Sequence, residues 1–324
     1  MTKIVGGTLS IVAGADAGTP RPGPSTSSTM ARPIAVATDS SGNTYVLDEN
    51  EHLVRKVDSS GSMSVIAGNG QAAEPTPGPA LERAIGYPLR ALAADSNGNV
   101  YVASSYRVLK ISPNGQLSYF AGNGEPGGPV PGTAVQSPLD SAYGVAVNST
   151  GVLISTGTRI VKVNSAGQLT IAVGNGTQGN PTPGTALSSP LNGPQHLAID
   201  AGGNIYFTDY LNDEDNGQSH NPRALKVSTS GQLSIIAGSG TEGNPMPGPA
   251  TQSALNYPTG VAVDGAENVY LSVQDSIRSP NTNFVLKVNP IGNLSFIAGM
   301  ANTRIHRSRP GDPHPATHTR RSGR

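Results

Sequence analysis

YPTGVAVDGAENVYLSVQDSIRSPNTNFVLKVNPIGNLSFIAG, residues 257–299, holds four short β-branched runs separated by turn signals. GVAVD is the first and NVYLSV the second, and the polar link DGAEN between them reads as a hairpin turn. VLKVN is the third, with Lys287 at an outward alternate position, and the turn NPIGN leads to the fourth, LSFIAG. Four antiparallel strands in so short a stretch make one blade-sized sheet.

The same order recurs along the chain. The closing motif appears as SIVAG, SVIAG, SYFAG, TIAVG, SIIAG and SFIAG, ending at Gly14, Gly68, Gly122, Gly174, Gly238 and Gly299. Successive spacings are 54, 54, 52, 64 and 61 residues, a period that signals one supersecondary unit stacked many times. First strands read IAVATD, ALAAD, GVAVN and HLAID, and third strands read VRKVD, VLKIS, IVKVN and ALKVS. Glycine in the intervening turns, such as DSNGN and SPNGQLS, supplies the positive φ of tight hairpins. Lys56, Lys110, Lys162, Lys226 and Lys287 share one equivalent position; their expected role is to cover the sheet with apolar stems and keep solvated heads. Long Gly/Pro-rich segments such as 175–194 join the units and read as ordered crossovers carrying a short Ala-Leu anchor.

These units resemble the NHL-repeat family of β-propellers, most of all its bacterial branch. The pattern AGNGT…P.GVAVD..GN.Y…KV…G..S.IAG matches best over 237–299, and the resemblance covers about 8–299. It implies an all-β propeller of four-stranded blades, six-bladed in type. Five complete blades fall at about 33–68, 87–122, 141–174, 193–238 and 257–299. The lone strand TLSIVAG at 8–14 is then expected to be the outer strand of an incomplete sixth blade. Residues 300–324 show no β alternation and read as a basic disordered tail, either frameshifted or truncated where the inner strands of the sixth blade belong, or native to a five-bladed ring. There are departures from the family pattern: the Asp that closes the second strand is present as Asp48 and Asp209 but is Ser104 in the second unit, and the third unit reads GVLIS without Asn-x-Tyr.

Composition removes several functions. Formal net charge is zero, but six arginines and one acid in 300–324 hide an acidic body of about −5. That body argues against sequence-specific nucleic-acid binding, and no apolar run approaches a membrane span of roughly 18 residues. Cysteine is absent, so thiolate metal sites and disulfides are excluded, which suits a reducing compartment and equally a bacterial extracytoplasmic protein. No Gly-x-Ser-x-Gly elbow is present, and the Asn-Gly runs lack the strand-to-helix context and the lysine of a phosphate loop.

Candidate ligand groups lie on the face that carries the crossovers and the second-to-third-strand loops. Two of those loops, 209–221 and 273–284, are enlarged. The first carries Asp209, Asp213, Glu214, Asp215 and His220, a candidate calcium loop. Its EF-hand alignment fails, because with Asn212 first, position 12 is Arg223 rather than Glu. First strands line the central channel, and their entry positions place Arg90, Tyr143, Gln195 and His196 at its mouth. Amidating lyases of the resembled class hold a metal through several histidines near the axis. Here His196 alone sits at such a position, and one histidine is not a zinc site. The expected function is a non-catalytic binding or scaffold propeller for a protein or small-molecule ligand. No catalytic residue, resident metal or cofactor is expected, calcium being the one candidate. The alternative is a metal-assisted lyase or lactonase working at the channel mouth.

Overall fold

The computed structural model describes residues 2–5, 8–11, 23–24, 29–213, 218–274 and 283–299. Five antiparallel sheets stand around a common channel, each with its four main strands in sequence order from the centre outward. The innermost strands are Pro33–Thr38, Leu89–Ala94, Ala142–Asn148, Pro194–Ile199 and Tyr257–Val263. The third unit is a full blade even without Asn-x-Tyr, because Val152, Leu153 and Ile154 supply the same buried run. Val100–Ser104, the second strand of blade 2, is buried throughout, since a neighbouring blade covers each face. Four apolar clusters fill the gaps between successive blades, from the first to the fifth.

The crossovers are ordered. Each lays a two-residue strand, such as Gly78–Pro79, on the outer edge of the next blade, so every blade gains a fifth, short strand. That strand occupies part of an edge that would otherwise offer unpaired backbone groups. A three-residue 3-10 turn follows, opening on a buried alanine: Ala80, Ala134, Ala186 or Ala250. The Ala80 carbonyl accepts the N–H of Gly68 from the preceding blade (2.9 Å), and its own N–H donates to the Gly115 carbonyl of the next (2.8 Å). The other three alanines make the same pair of bonds, which lock each blade to its successor.

The closing glycine of the motif is explained by space as well as by φ. Gly68, Gly122, Gly174, Gly238 and Gly299 have φ between +84° and +97°. A Cβ on any of them would lie 2.0–2.4 Å from a carbonyl oxygen in or just before the same blade's third strand.

The six-bladed expectation is corrected: the propeller has five blades. Thr8–Ile11 does not join a blade. It pairs with Thr2–Val5 in a separate two-stranded antiparallel sheet, from Thr2 opposite Ile11 to Val5 opposite Thr8. Its backbone hydrogen bonds are thereby met by its immediate neighbour in the chain. Among the described residues no further set of inner strands exists for it to complete. The tail expectation concerns 300–324, which lies outside the described residues.

The first and fifth blades each keep an open flank. Val36 on the first inner strand is 53% exposed, whereas Leu92 at the matching position is 5% exposed. On the last fourth strand, Phe296 and Ile297 are 38% and 43% exposed, and no apolar cluster among the described residues joins this blade to the first. In a stacked repeat, stability is the sum of each unit and its neighbour interfaces, so units lacking one interface open first. Hydrogen exchange should therefore proceed fastest in the strands of blades 1 and 5, with the slowest amides in blades 2 to 4. Uniform protection around the ring would contradict that order.

Candidate functional site

The inner strands enclose a channel of about 460 Å³. Ala91, Leu92, Val145 and Leu197 give it an apolar wall, with His196 and Thr259 among its polar members. The small entry positions expected from the sequence have a steric cause. A Cβ on Gly144 would stand 2.1 Å from the Gln195 carbonyl oxygen, which also accepts the Ser155 hydroxyl. Close approach of the inner strands of blades 3 and 4 thus requires glycine there.

Arg90 and Tyr143 come together at the mouth, with the guanidinium carbon 5.1 Å from the ring centroid. Two tyrosines not foreseen from the sequence extend the group. Tyr210 is buried and packs edge-to-face against Tyr257, their centroids 5.8 Å apart. Burial pushes the Tyr210 phenol up to about 12, with Tyr257 adding to the rise, the Arg90 charge opposing it and Tyr143 reinforcing it. Four residues from four blades therefore form one electrostatic neighbourhood. Tyr257 stands at the end of a crossover and Tyr210 directly follows Asp209. Tyrosine at both positions was the only sequence sign, and no local pattern links them.

Gln195 and His196 hold the mouth's fourth-blade side through their backbones. The His196 N–H donates to Thr208 Oγ1 at 3.3 Å. The channel walls strip water from the imidazole and pull its pKa down to about 4. This base has a folded pKa below its unfolded value near 6.5. Its neutral form matches the unfolded state above pH 6.5, and stability falls as pH drops from there toward 4. That slope should amount to on the order of 2–3 kcal/mol. Denaturant melts from pH 7 to 4 should show His196→Gln losing less stability than wild type; equal losses would place the titration elsewhere.

Asp209 is spoken for structurally. It is buried, and its carboxylate accepts the backbone N–H groups of Asn192 (3.1 Å) and Gly193 (2.9 Å), which tie down the incoming crossover. Desolvation raises its pKa to about 6 despite these donors and the nearby Arg223. Asp48 does the same for Ala31 and Arg32 at 3.0 Å each. Ser104 and Thr156 replace this aspartate in blades 2 and 3, and their hydroxyls are buried without a partner among the described residues. The segment after Asp209 is not a plain loop. Strands Ile205–Asp213 and Gln218–Val227 continue as a hairpin, pairing Leu211 with His220 and Asp213 with Gln218. Asp213 is thus the last residue of its strand, while Asp215 lies outside the described residues. Among the described residues no group of three or more His, Asp and Glu is placed to hold a metal.

The opposite face is busier than the short turns suggested. Hollows of about 720 and 700 Å³ lie between blades 1 and 2 and between blades 2 and 3. Their polar groups are engaged in a repeated network. Asp39, Asp95, Asp200 and Asp264 each accept from an asparagine amide and a tyrosine hydroxyl two residues further along, at 2.7–3.1 Å. Lys56, Lys110, Lys226 and Lys287 lie 5.2–5.9 Å from those tyrosine rings, so the lysine row covers aromatic faces as well as solvent. Lys162 has Leu153 opposite it instead.

The fold defines the chain as a five-bladed β-propeller. No family model matches it. A stretch of 219 residues is 27% identical to mouse teneurin-3, covering 59% of this chain and 8% of that protein. A gluconolactonase from Xanthomonas campestris superposes with a TM-score of 0.54 at 12% identity, covering 89% of this chain and 87% of that one. An auxiliary nutrient binding protein from Bacteroides ovatus gives 0.51 at 15% identity, covering 76% and 57%. At these identities the solved structures show a shared fold alone. The helices among the described residues are three-residue turns, and none is long and apolar enough to cross a membrane.

Proposed function

We propose that this propeller is an NHL-type binding module that receives its ligand or partner at the channel mouth, on the face bearing the crossovers. The observation that carries this reading is the meeting of Arg90, Tyr143, Tyr210 and Tyr257, drawn from four blades, over an apolar channel. Aromatic rings beside a cation over a concave apolar floor are what recognition sites commonly present. The NHL assignment is supported by the recurring GVAVD, Asn-x-Tyr and I-A-G pattern.

The second reading, a metal-assisted lyase or lactonase, draws its support from the gluconolactonase-like architecture. It requires ligands converging on His196. Elemental analysis for calcium and zinc, together with gluconolactone hydrolysis, on the full chain and on His196→Ala separates the two. The binding reading expects no turnover and no stoichiometric metal that the substitution removes. A stoichiometric metal lost in His196→Ala, along with turnover, would overturn it.

A further inference from the structure

We propose that the channel mouth selects a small ligand with a carboxylate head and a flat apolar body. This deepens the binding reading above and rests on it. The Arg90 guanidinium carbon lies 5.1 Å from the Tyr143 ring centroid, a cation–π contact that leaves its N–H groups for another partner. Among the described residues no acceptor or carboxylate meets those groups. Arg90 is exposed, so they are open to an incoming molecule. A guanidinium edge matches a carboxylate with two parallel hydrogen bonds.

The surroundings decide between anions. A phosphate dianion calls for several cations or a cluster of backbone donors. Here one arginine stands over a protein body that is net acidic. A monoanionic carboxylate fits that single charge. The channel wall beside it is apolar, formed by Ala91, Leu92, Val145 and Leu197. Tyr143 stands against Arg90 and Tyr257 against the neighbouring Tyr210, and aromatic rings favour a planar body through offset or edge contacts. His196 lines the channel as a neutral imidazole at physiological pH, so it adds no second cation.

Benzoate and benzamide test this directly, because they share a shape and differ in charge. Binding to the full chain is read by NMR of selectively labelled tyrosines, with melting curves checking that each variant folds. Benzoate should shift Tyr143 and Tyr257, and benzamide should bind about tenfold more weakly. Arg90→Gln should abolish that preference with an unchanged melting curve, and Arg90→Lys should restore only part of it. Equal binding of the two probes, or an unchanged preference in Arg90→Gln, would overturn the carboxylate assignment while leaving a ligand site at the mouth intact. Benzoate binding with silent mouth tyrosines would place the site elsewhere and overturn it too. Failure of the underlying binding reading shows separately, as metal and turnover in the His196→Ala experiment.

Discussion

Gly122→Ala should destabilise the propeller by about 3 kcal/mol or more, among the largest effects of any single methyl group in this chain. Two costs add. Positive φ strains an L side chain by roughly 1–2 kcal/mol, and at Gly122 φ is +84°. The new Cβ would also lie 2.1 Å from the Tyr106 carbonyl oxygen and 2.9 Å from the Arg107 Cα, backbone atoms that cannot swing away. Relief would have to separate the third and fourth strands of blade 2 and disturb the Gly122 N–H to Ala134 carbonyl bond of 3.0 Å. Gly115→Ala is the control. Its φ is +77°, but nothing lies within 4 Å of its Cβ, so only the conformational cost of about 1 kcal/mol applies. Urea unfolding of the two variants measures the difference. Equal losses would mean that φ alone explains the motif glycine.

Asp48→Ala should cost about 3–5 kcal/mol, the range for stripping one partner from a buried ion pair. Asp48 is fully buried, and Arg55 lies beside it with Nη2 at 3.9 Å and its side chain 3% exposed. That separation makes an ion pair rather than a hydrogen bond, and Arg55 Nε and Nη2 have no hydrogen-bond partner among the described residues. Removing the carboxylate therefore strands a buried cation and releases the N–H groups of Ala31 and Arg32. Arg55→Met should cost well under half as much. Asp48 keeps its backbone donors, and methionine refills the space with apolar atoms. Thermal melts of both variants decide the point; a costlier Arg55→Met would show that the guanidinium, not the carboxylate, is the essential member.

The open flanks connect stability to the site. The mouth residues Arg90, Tyr143 and Tyr210 sit on blades 2 to 4, the part of the ring with neighbours on both sides. Tyr257 belongs to the fifth blade and is tied to that block through Tyr210. A ligand gripping all four would brace the last blade against the others, and binding to the folded state alone raises stability by mass action.

Strand order, hairpin turns and blade boundaries are written locally. Period-two alternation and glycine turns repeat within a few dozen residues, and each copy reports on the same local physics. The same locality hid the Lys56–Tyr45 stack, because the two residues are direct cross-strand partners only once the register is known. It also made Asp209 look like the start of an acidic loop, although its carboxylate turns inward to bind the crossover.

What repetition leaves open is anything that happens once. TLSIVAG has the letters of an outer strand, yet Thr8–Ile11 pairs with Thr2–Val5, because strand partners are chosen by proximity and hydrogen bonding, not by likeness to other repeats. The mouth cluster is equally a product of the tertiary arrangement. Arg90 and Tyr143 hold equivalent positions in successive units, but Tyr210, on a second strand, and Tyr257 fall on neither that position nor each other's. Only the convergence of blades on one channel brings their charge and rings together, since a radial fold gathers near its axis residues that the sequence spaces about a whole blade apart.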